Sequence, residues 1–247
     1  MELHTDAETD PALDVAISHA LLLRAARDRV GSVRIWRPLR GALSLGRLDL
    51  RGPSARALCE LAREAGLEPV ARLAGGRAAA LDPGCLCVGV AQPTAGLQDS
   101  GDRYRLLAGA IVDALQALGV ASQLGEVPGE WCPGAWSVQG PCGKLAGLAQ
   151  RAISGGAWCE ALIVIERSPA LRALTERVHE LLGIPWRADA QGELSPLLHD
   201  ARDAHAALQA ALRRHLDGRL PGPLRAAPLP AAVRAQARQL RPDHQLP

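Results

Sequence analysis

Within residues 129–151, "GEWCPGAWSVQGPCGKLAGLAQR", a cysteine and a lysine stand twelve positions apart, and Lys144 is the only lysine in a chain with 28 Lys+Arg residues. Cys132 precedes Pro133 and Gly134, two residues that dictate a turn, so its thiol is expected on a loop. A thiolate is a nucleophile, and a nearby cation favours it over the thiol. Lys144 could be that cation, or could hold an acyl carbonyl and the oxyanion that forms from it. Lysine is a compact point charge and arginine a planar fork. In a chain that uses arginine almost everywhere, the single lysine marks a place where arginine does not serve. The competing reading is packing, the commoner fate of a free cysteine. Cys59 and Cys159 fall on expected helix or strand and take that reading. Cys142 competes with Cys132 for the nucleophile's role, because its two-residue spacing from Lys144 puts both side chains on one face of an extended segment.

A second constellation is "ARLAGGRAAALDPG", residues 71–84. Gly75 and Gly76 let the backbone approach a ligand closely. Arg72 and Arg77 could pair with a carboxylate or phosphate. An ordinary hairpin turn with solvated arginines remains the alternative, and for paired glycines alone it is the commoner case. The seven histidines are scattered and form no Ser/His/Asp or Cys/His motif, and His19 is expected to be surface or core. Cys85 and Cys87 have neither a second cysteine pair nor a nearby histidine, so no metal site is expected.

The elements that must position these residues follow from composition and periodicity. At 247 residues, with 48% hydrophobic and 22% charged positions, the chain is long enough to bury a core without disulfide staples. With no Phe and one Tyr, that core is built from Leu, Val, Ala and Ile. A net charge of +2 without a basic run gives no support for nucleic-acid binding. The acidic start "ELHTDAETD" lacks the features of a signal peptide. Apolar runs such as "ALIVI" are far too short to cross a membrane. Six cysteines in such a chain read as free thiols in a reducing, cytoplasmic setting. Helices are expected over 11–28, 54–67, 104–120, 170–184 and 195–217. Strands are expected over 33–37, 42–50, three times within 68–91, and over 158–166. From Arg219 a Pro/Arg-rich stretch reads as a loosely attached tail. Strands and helices mix without strict alternation, which predicts an α/β or α+β domain with a mixed sheet flanked by helices. No dinucleotide fingerprint or P-loop is present.

Three blocks resemble the biotin/lipoate ligase-like superfamily of lipoate–protein ligases and octanoyltransferases. "IWRPLRGALSLGRLDL" looks like its opening strands, and "ARLAGGRAAALDPG" like its R-x-x-G-G segment. "GKLAGLAQR" is similar to the G-K-K-I-A-G-x-A-Q signature around the family's one essential lysine, with Leu145 at the second lysine's place. The cysteine of "EWCPG" and the "LDPG" segment resemble the cysteine-dependent members, above all those that relay octanoyl groups from glycine cleavage H protein. The resemblance implies a catalytic domain over 11–190, followed by a C-terminal helix (191–218) and the tail (219–247). It implies that Cys132 and Lys144 are catalytic, with Lys144 binding the carbonyl oxygen and favouring the thiolate. Arg72, Gly75, Gly76, Gly143 and Gly147 would bind substrate. The expected activity moves an octanoyl or lipoyl group through a Cys132 thioester to the lysine of a lipoyl-domain acceptor, with no cofactor and no metal. Expected partners are an acyl donor protein (H protein or acyl carrier protein) and the lipoyl domains of 2-oxoacid dehydrogenases, with no nucleic acid and no membrane. An ATP-dependent lipoate–protein ligase and a non-catalytic acyl-binding protein of the same fold stay open as alternatives.

Overall fold

A computed structural model describes residues 1–95, 99–198 and 203–247. The chain runs β1 (Glu2–His4), α1 (Pro11–Asp28), β2 (Ser32–Trp36), β3 (Ala42–Leu45), α2 (Arg47–Arg51), α3 (Ala55–Glu64), β4 (Glu68–Ala71) and β5 (Ala79–Leu81). It continues β6 (Cys85–Pro93), α4 (Ser100–Ala117), β7 (Gln123–Leu124), β8 (Val138–Gly140), β9 (Gly143–Ile153), β10 (Gly156–Val164), α5 (Pro169–Leu182), α6 (Ala204–Asp217), β11 (Arg225–Ala226) and α7 (Ala231–Leu240).

Among the described residues the strands form two sheets, one of eight strands in the order β11-β1-β2-β6-β10-β9-β8-β7 and one of three in the order β4-β3-β5. The mixed sheet with flanking helices is the expected fold. Strands β6 and β10 lie at the centre of the large sheet, and this is why "CLCVGVA" and "WCEALIV" read as near-continuous apolar runs. Alternate residues of β6 serve opposite faces. Leu86, Val88 and Val90 pack under α4 and α6, whereas Cys87 and Ala91 pack under α1 and α7. Helix α1 starts where Asp10 accepts hydrogen bonds from the Ala12 and Leu13 amides, with Pro11 in its first turn. The small sheet packs its leucines against α3 and α5.

Three expectations are corrected. The strand expected over 42–50 ends at Leu45, and Gly46 opens α2 instead. The Asp49 carboxylate accepts the Gly46 amide at 3.0 Å and turns the chain into that helix. The glycine pair at 75–76 does not close a hairpin, because β4 and β5 do not pair with each other but flank β3 on opposite sides. The Pro/Arg-rich segment from Arg219 is not loosely attached. Strand β11 pairs with β1, and α7 packs on α1 with Val233 and Ala237 buried. Arg234 pairs with Asp6 and Glu8, and Arg241 with Asp10, so the acidic start and the arginine-rich end neutralise each other. The final residues add an antiparallel bridge to β4 (Val70 with Gln245), and the His244 ring donates to Ala71 O at 2.8 Å. The helix expected over 195–217 is observed from Ala204; residues 199–202 of that expectation lie outside the described residues.

Candidate active site

Lys144 enters the large sheet on β9 and is 1% exposed. Its ammonium donates to Glu130 Oε1 (3.2 Å), Trp131 O (2.8 Å) and Cys132 O (2.9 Å). An ammonium has three protons, and each has an acceptor here. Burial pushes the Lys144 pKa below that of an ordinary lysine, while the Glu130 carboxylate and Cys132 oppose the shift. Glu130 is fully buried and also accepts from the Val127 amide (3.0 Å), the Gly134 amide (3.0 Å) and the Ser137 hydroxyl (2.6 Å). The pair therefore knots the loop over residues 127–137 at its base. The Trp131 ring lies over the ammonium, 4.2 Å from centroid to Nζ, which adds a cation–π contact in a dry setting. Gly147 leaves the room for this stack: a Cβ there would sit 2.8 Å from the Trp131 ring and 3.0 Å from Lys144 Cε.

Cys132 sits at the top of the same loop, half-buried, with φ at 42°. Left-handed backbone at a non-glycine residue is uncommon and costs energy that the surrounding contacts must offset. Its thiol lies against the glycine turn of the small sheet. Cys132 Sγ accepts the Arg77 amide at 3.2 Å and is 3.7 Å from Arg72 Nη1. The cation in contact with the sulfur is thus Arg72, while Lys144 engages the carbonyls beneath it. Arg72 Nη1 also donates to Arg77 O at 2.8 Å, and Nη2 lies 3.9 Å from Glu160 Oε1. Gly76 has φ at 105°, and a Cβ there would be 2.9 Å from both Cys132 Sγ and Arg72 Nη1. Only glycine admits the sulfur and the guanidinium together. On the other side of the turn, a Cβ on Gly46 would sit 2.0 Å from Gly76 O, so α2 and the turn touch backbone to backbone.

Between the two sheets lies a cavity of about 260 Å³. Its walls are largely apolar, with Trp36, Val70, Leu73, Leu81 and Leu162 among them, and Arg72, Cys132 and Glu160 supply polar groups. Gly75, Gly76, Lys144 and Gly147 line it as well. Of the residues singled out in the sequence, Gly143 does not reach the cavity. It packs at φ 107° against Ala190 at the start of β9. Cys142 turns away, donating to Glu193 O at 3.3 Å. His19 meets His244 at 3.1 Å, apart from the cavity walls. Glu130 and Glu160 were not foreseen. Glu130 stands two residues before Cys132, and an acidic residue next to a lone lysine's loop was the available signal. Among the described residues no group of His, Cys, Asp and Glu could hold a metal ion, and no helix is long and apolar enough to cross a membrane.

Two sheets enclosing an apolar cavity, with a buried lysine under a loop that overhangs it, define the lipoate–protein ligase fold. The structure superposes on lipoate-protein ligase A bound with ATP with a TM-score of 0.79, at 17% identity over 98% of this chain and 94% of that one. It superposes on the bi-partite lipoate protein ligase of Thermoplasma acidophilum with a TM-score of 0.75, at 17% identity over 98% and 91% of the two chains. Residues 10–178 match the model of the lipoyl protein ligase A/B catalytic domain, and the chain belongs to that family. Among curated relatives, the octanoyl-[GcvH]:protein N-octanoyltransferase of Geobacillus kaustophilus is 29% identical over 178 residues, 71% of this chain. The protein of the same name from Exiguobacterium sibiricum is 28% identical over 174 residues, 70% of this chain. The matched region spans 62% of the length of each of these two relatives.

Proposed function

We propose that this protein is an acyltransferase of lipoate assembly that moves an octanoyl or lipoyl group through a Cys132 thioester to the lysine of a lipoyl-domain acceptor protein. The observation that carries this reading is the placement of Cys132 Sγ at an apolar cavity, under the Arg77 amide and the Arg72 guanidinium. Both donors point at the sulfur that would carry the acyl group. The sulfur attacks the acyl carbonyl, the donor leaves as a free amine after taking a proton from water (a thioester donor leaves as its thiolate), and the acyl group stays on sulfur. The acceptor's neutral lysine amine then attacks the thioester, forming an amide, releasing the Cys132 thiolate and giving up a proton to water. In each half-reaction the Arg72 guanidinium, beside the sulfur, is the group assigned to stabilise the negative charge that develops on the carbonyl oxygen. Lys144 acts in this reading as a positioning residue, because its three protons hold the loop carbonyls and Glu130 in place. Gly75, Gly76 and Gly147 give the chain its space. An apolar wall selects chain length, since each buried methylene contributes about 0.8 kcal/mol.

The curated relatives' name supports octanoyl-loaded H protein as donor and supports transfer rather than ligation. The test supplies an apo lipoyl domain with three acyl sources in turn: octanoyl-H protein, octanoyl-acyl carrier protein, or free octanoate with ATP. Acylation of the domain from octanoyl-H protein without ATP is the expected result. Acylation only from free octanoate and ATP, with release of pyrophosphate, would replace this reading with that of a ligase.

A further inference from the structure

Helix α2 shows solvent a face that the fold leaves unpartnered. Arg47 and Arg51 share one side of this turn by their four-residue spacing, and Leu48 lies three residues before Arg51 on the same side. Leu48 is 66% exposed, more than Leu39, Leu124 or Leu181, the other exposed large hydrophobic side chains among the described residues. The opposite side of α2 is anchored at the site. Asp49 is buried and pairs with Arg77 Nε at 2.8 Å, and the Arg77 amide is the one on Cys132 Sγ. Leu48 is therefore two contacts from the nucleophile.

The charges around it are uncompensated. Arg47, Arg51 and Arg151 have no carboxylate partner among the described residues, and Arg151 Nε is buried without a hydrogen-bond partner. Burial, with repulsion from Arg47, holds the Arg151 pKa below its ordinary value. Arg151 lies next to Gln150, whose carbonyl accepts the Gly75 amide at 3.3 Å, so it too borders the glycine turn.

We propose that Arg47, Leu48 and Arg51, with Arg151 beside them, form the docking surface for an acidic protein domain that brings the acceptor lysine to the Cys132 thioester. The inference rests on the acyl-transfer reading above. Carboxylates on such a domain would neutralise like charges that the free protein leaves facing each other, and an apolar contact would cover Leu48. A nucleic-acid backbone would meet the charge but leave the leucine in water, so a protein surface fits better.

The test separates loading from transfer. With p-nitrophenyl octanoate, a burst of p-nitrophenol reports loading of Cys132 with no protein partner. With octanoyl-loaded enzyme, the rate of acylation of an apo lipoyl domain reports transfer. For R47E/R51E and for Leu48→Asp, the burst is expected unchanged, while KM for the lipoyl domain rises about tenfold. Raising salt from about 50 to 300 mM is expected to raise KM for wild type and to leave the charge-reversed variant flat. A KM within twofold of wild type in both variants would overturn the docking surface. So would a lost burst in them, which would make α2 part of the loading machinery, or tight binding of duplex DNA with unaltered transfer. No burst in wild type would instead remove the acyl-transfer reading, and the docking surface with it.

Discussion

Arg34 and Lys144 are the two most deeply buried cations among the described residues, and they differ in kind. Arg34 is fully buried on β2 and spreads its fork over several acceptors: Asp6 O, Asp14 O, the Ser18 hydroxyl and the Asp14 carboxylate. These acceptors belong to α1 and the segment before it, so Arg34 fixes a helix to a sheet. Lys144 brings its three bonds to one nitrogen, and two of them end on consecutive carbonyls of the loop that carries Cys132. A planar fork cannot place one nitrogen among three convergent acceptors in a closed space, whereas an ammonium can. The lone lysine is thus explained by the shape of its acceptor set. A buried charge can hold the fold or hold the site, and its acceptors tell which.

The comparison breaks most visibly if the cations are exchanged. Lys144→Arg is expected to displace the Trp131–Cys132 carbonyls and to lower kcat/KM for octanoyl transfer about 10²-fold, because a loop shift of this kind misplaces the nucleophile. Its thermal unfolding should move much less, and steady-state kinetics beside calorimetry would check both. Glu130→Gln sets an amide donor among four donors. About tenfold slower transfer is expected, with easier proteolysis of the loop over residues 127–137. Arg34→Lys should show the reverse pattern to Lys144→Arg. A single ammonium cannot serve the spread acceptors, so unfolding free energy in urea should fall by about 2 kcal/mol. Turnover of the protein that remains folded should stay within about threefold of wild type.

The smallest effect concerns the C-terminal segment against α1. Burial, together with the His244 ring and Arg151, holds His19 down at about 4, against Asp243. The unfolded chain, titrating near 6.5, takes up that proton first. The pair's contribution is therefore complete above pH 6.5 and is lost as pH falls towards 4. Urea midpoints measured across that window should drop for wild type and drop less for His19→Gln.

Much of the fold was legible in the sequence because its elements obey local periodicity. Helix α1 follows from Pro11 and the spacing of Leu13, Ile17 and Leu21, and β10 from the run "WCEALIV". Helix α2 was hidden, since "ALSLGRLDL" alternates like a strand, and the turn into the helix depends on Asp49 capping the Gly46 amide and on the close approach of Gly46 to Gly76. The docked end of the chain was hidden as well: Arg234 finds Asp6 and Glu8 across most of the sequence, and composition alone cannot show such pairing. At the site, residue type and the lone lysine pointed to Cys132 and Lys144, and the glycine pair to its turn. Which cation meets the sulfur was not legible, because that depends on the loop closing over Lys144 and on the small sheet carrying Arg72 across to it.

The most direct test of the account is the intact mass of the protein after incubation with octanoyl-H protein. One added octanoyl group is expected, which hydroxylamine removes and which is absent from Cys132→Ala. An octanoyl adduct of the same size on Cys132→Ala, or transfer to a lipoyl domain at the wild-type rate by that variant, would contradict it.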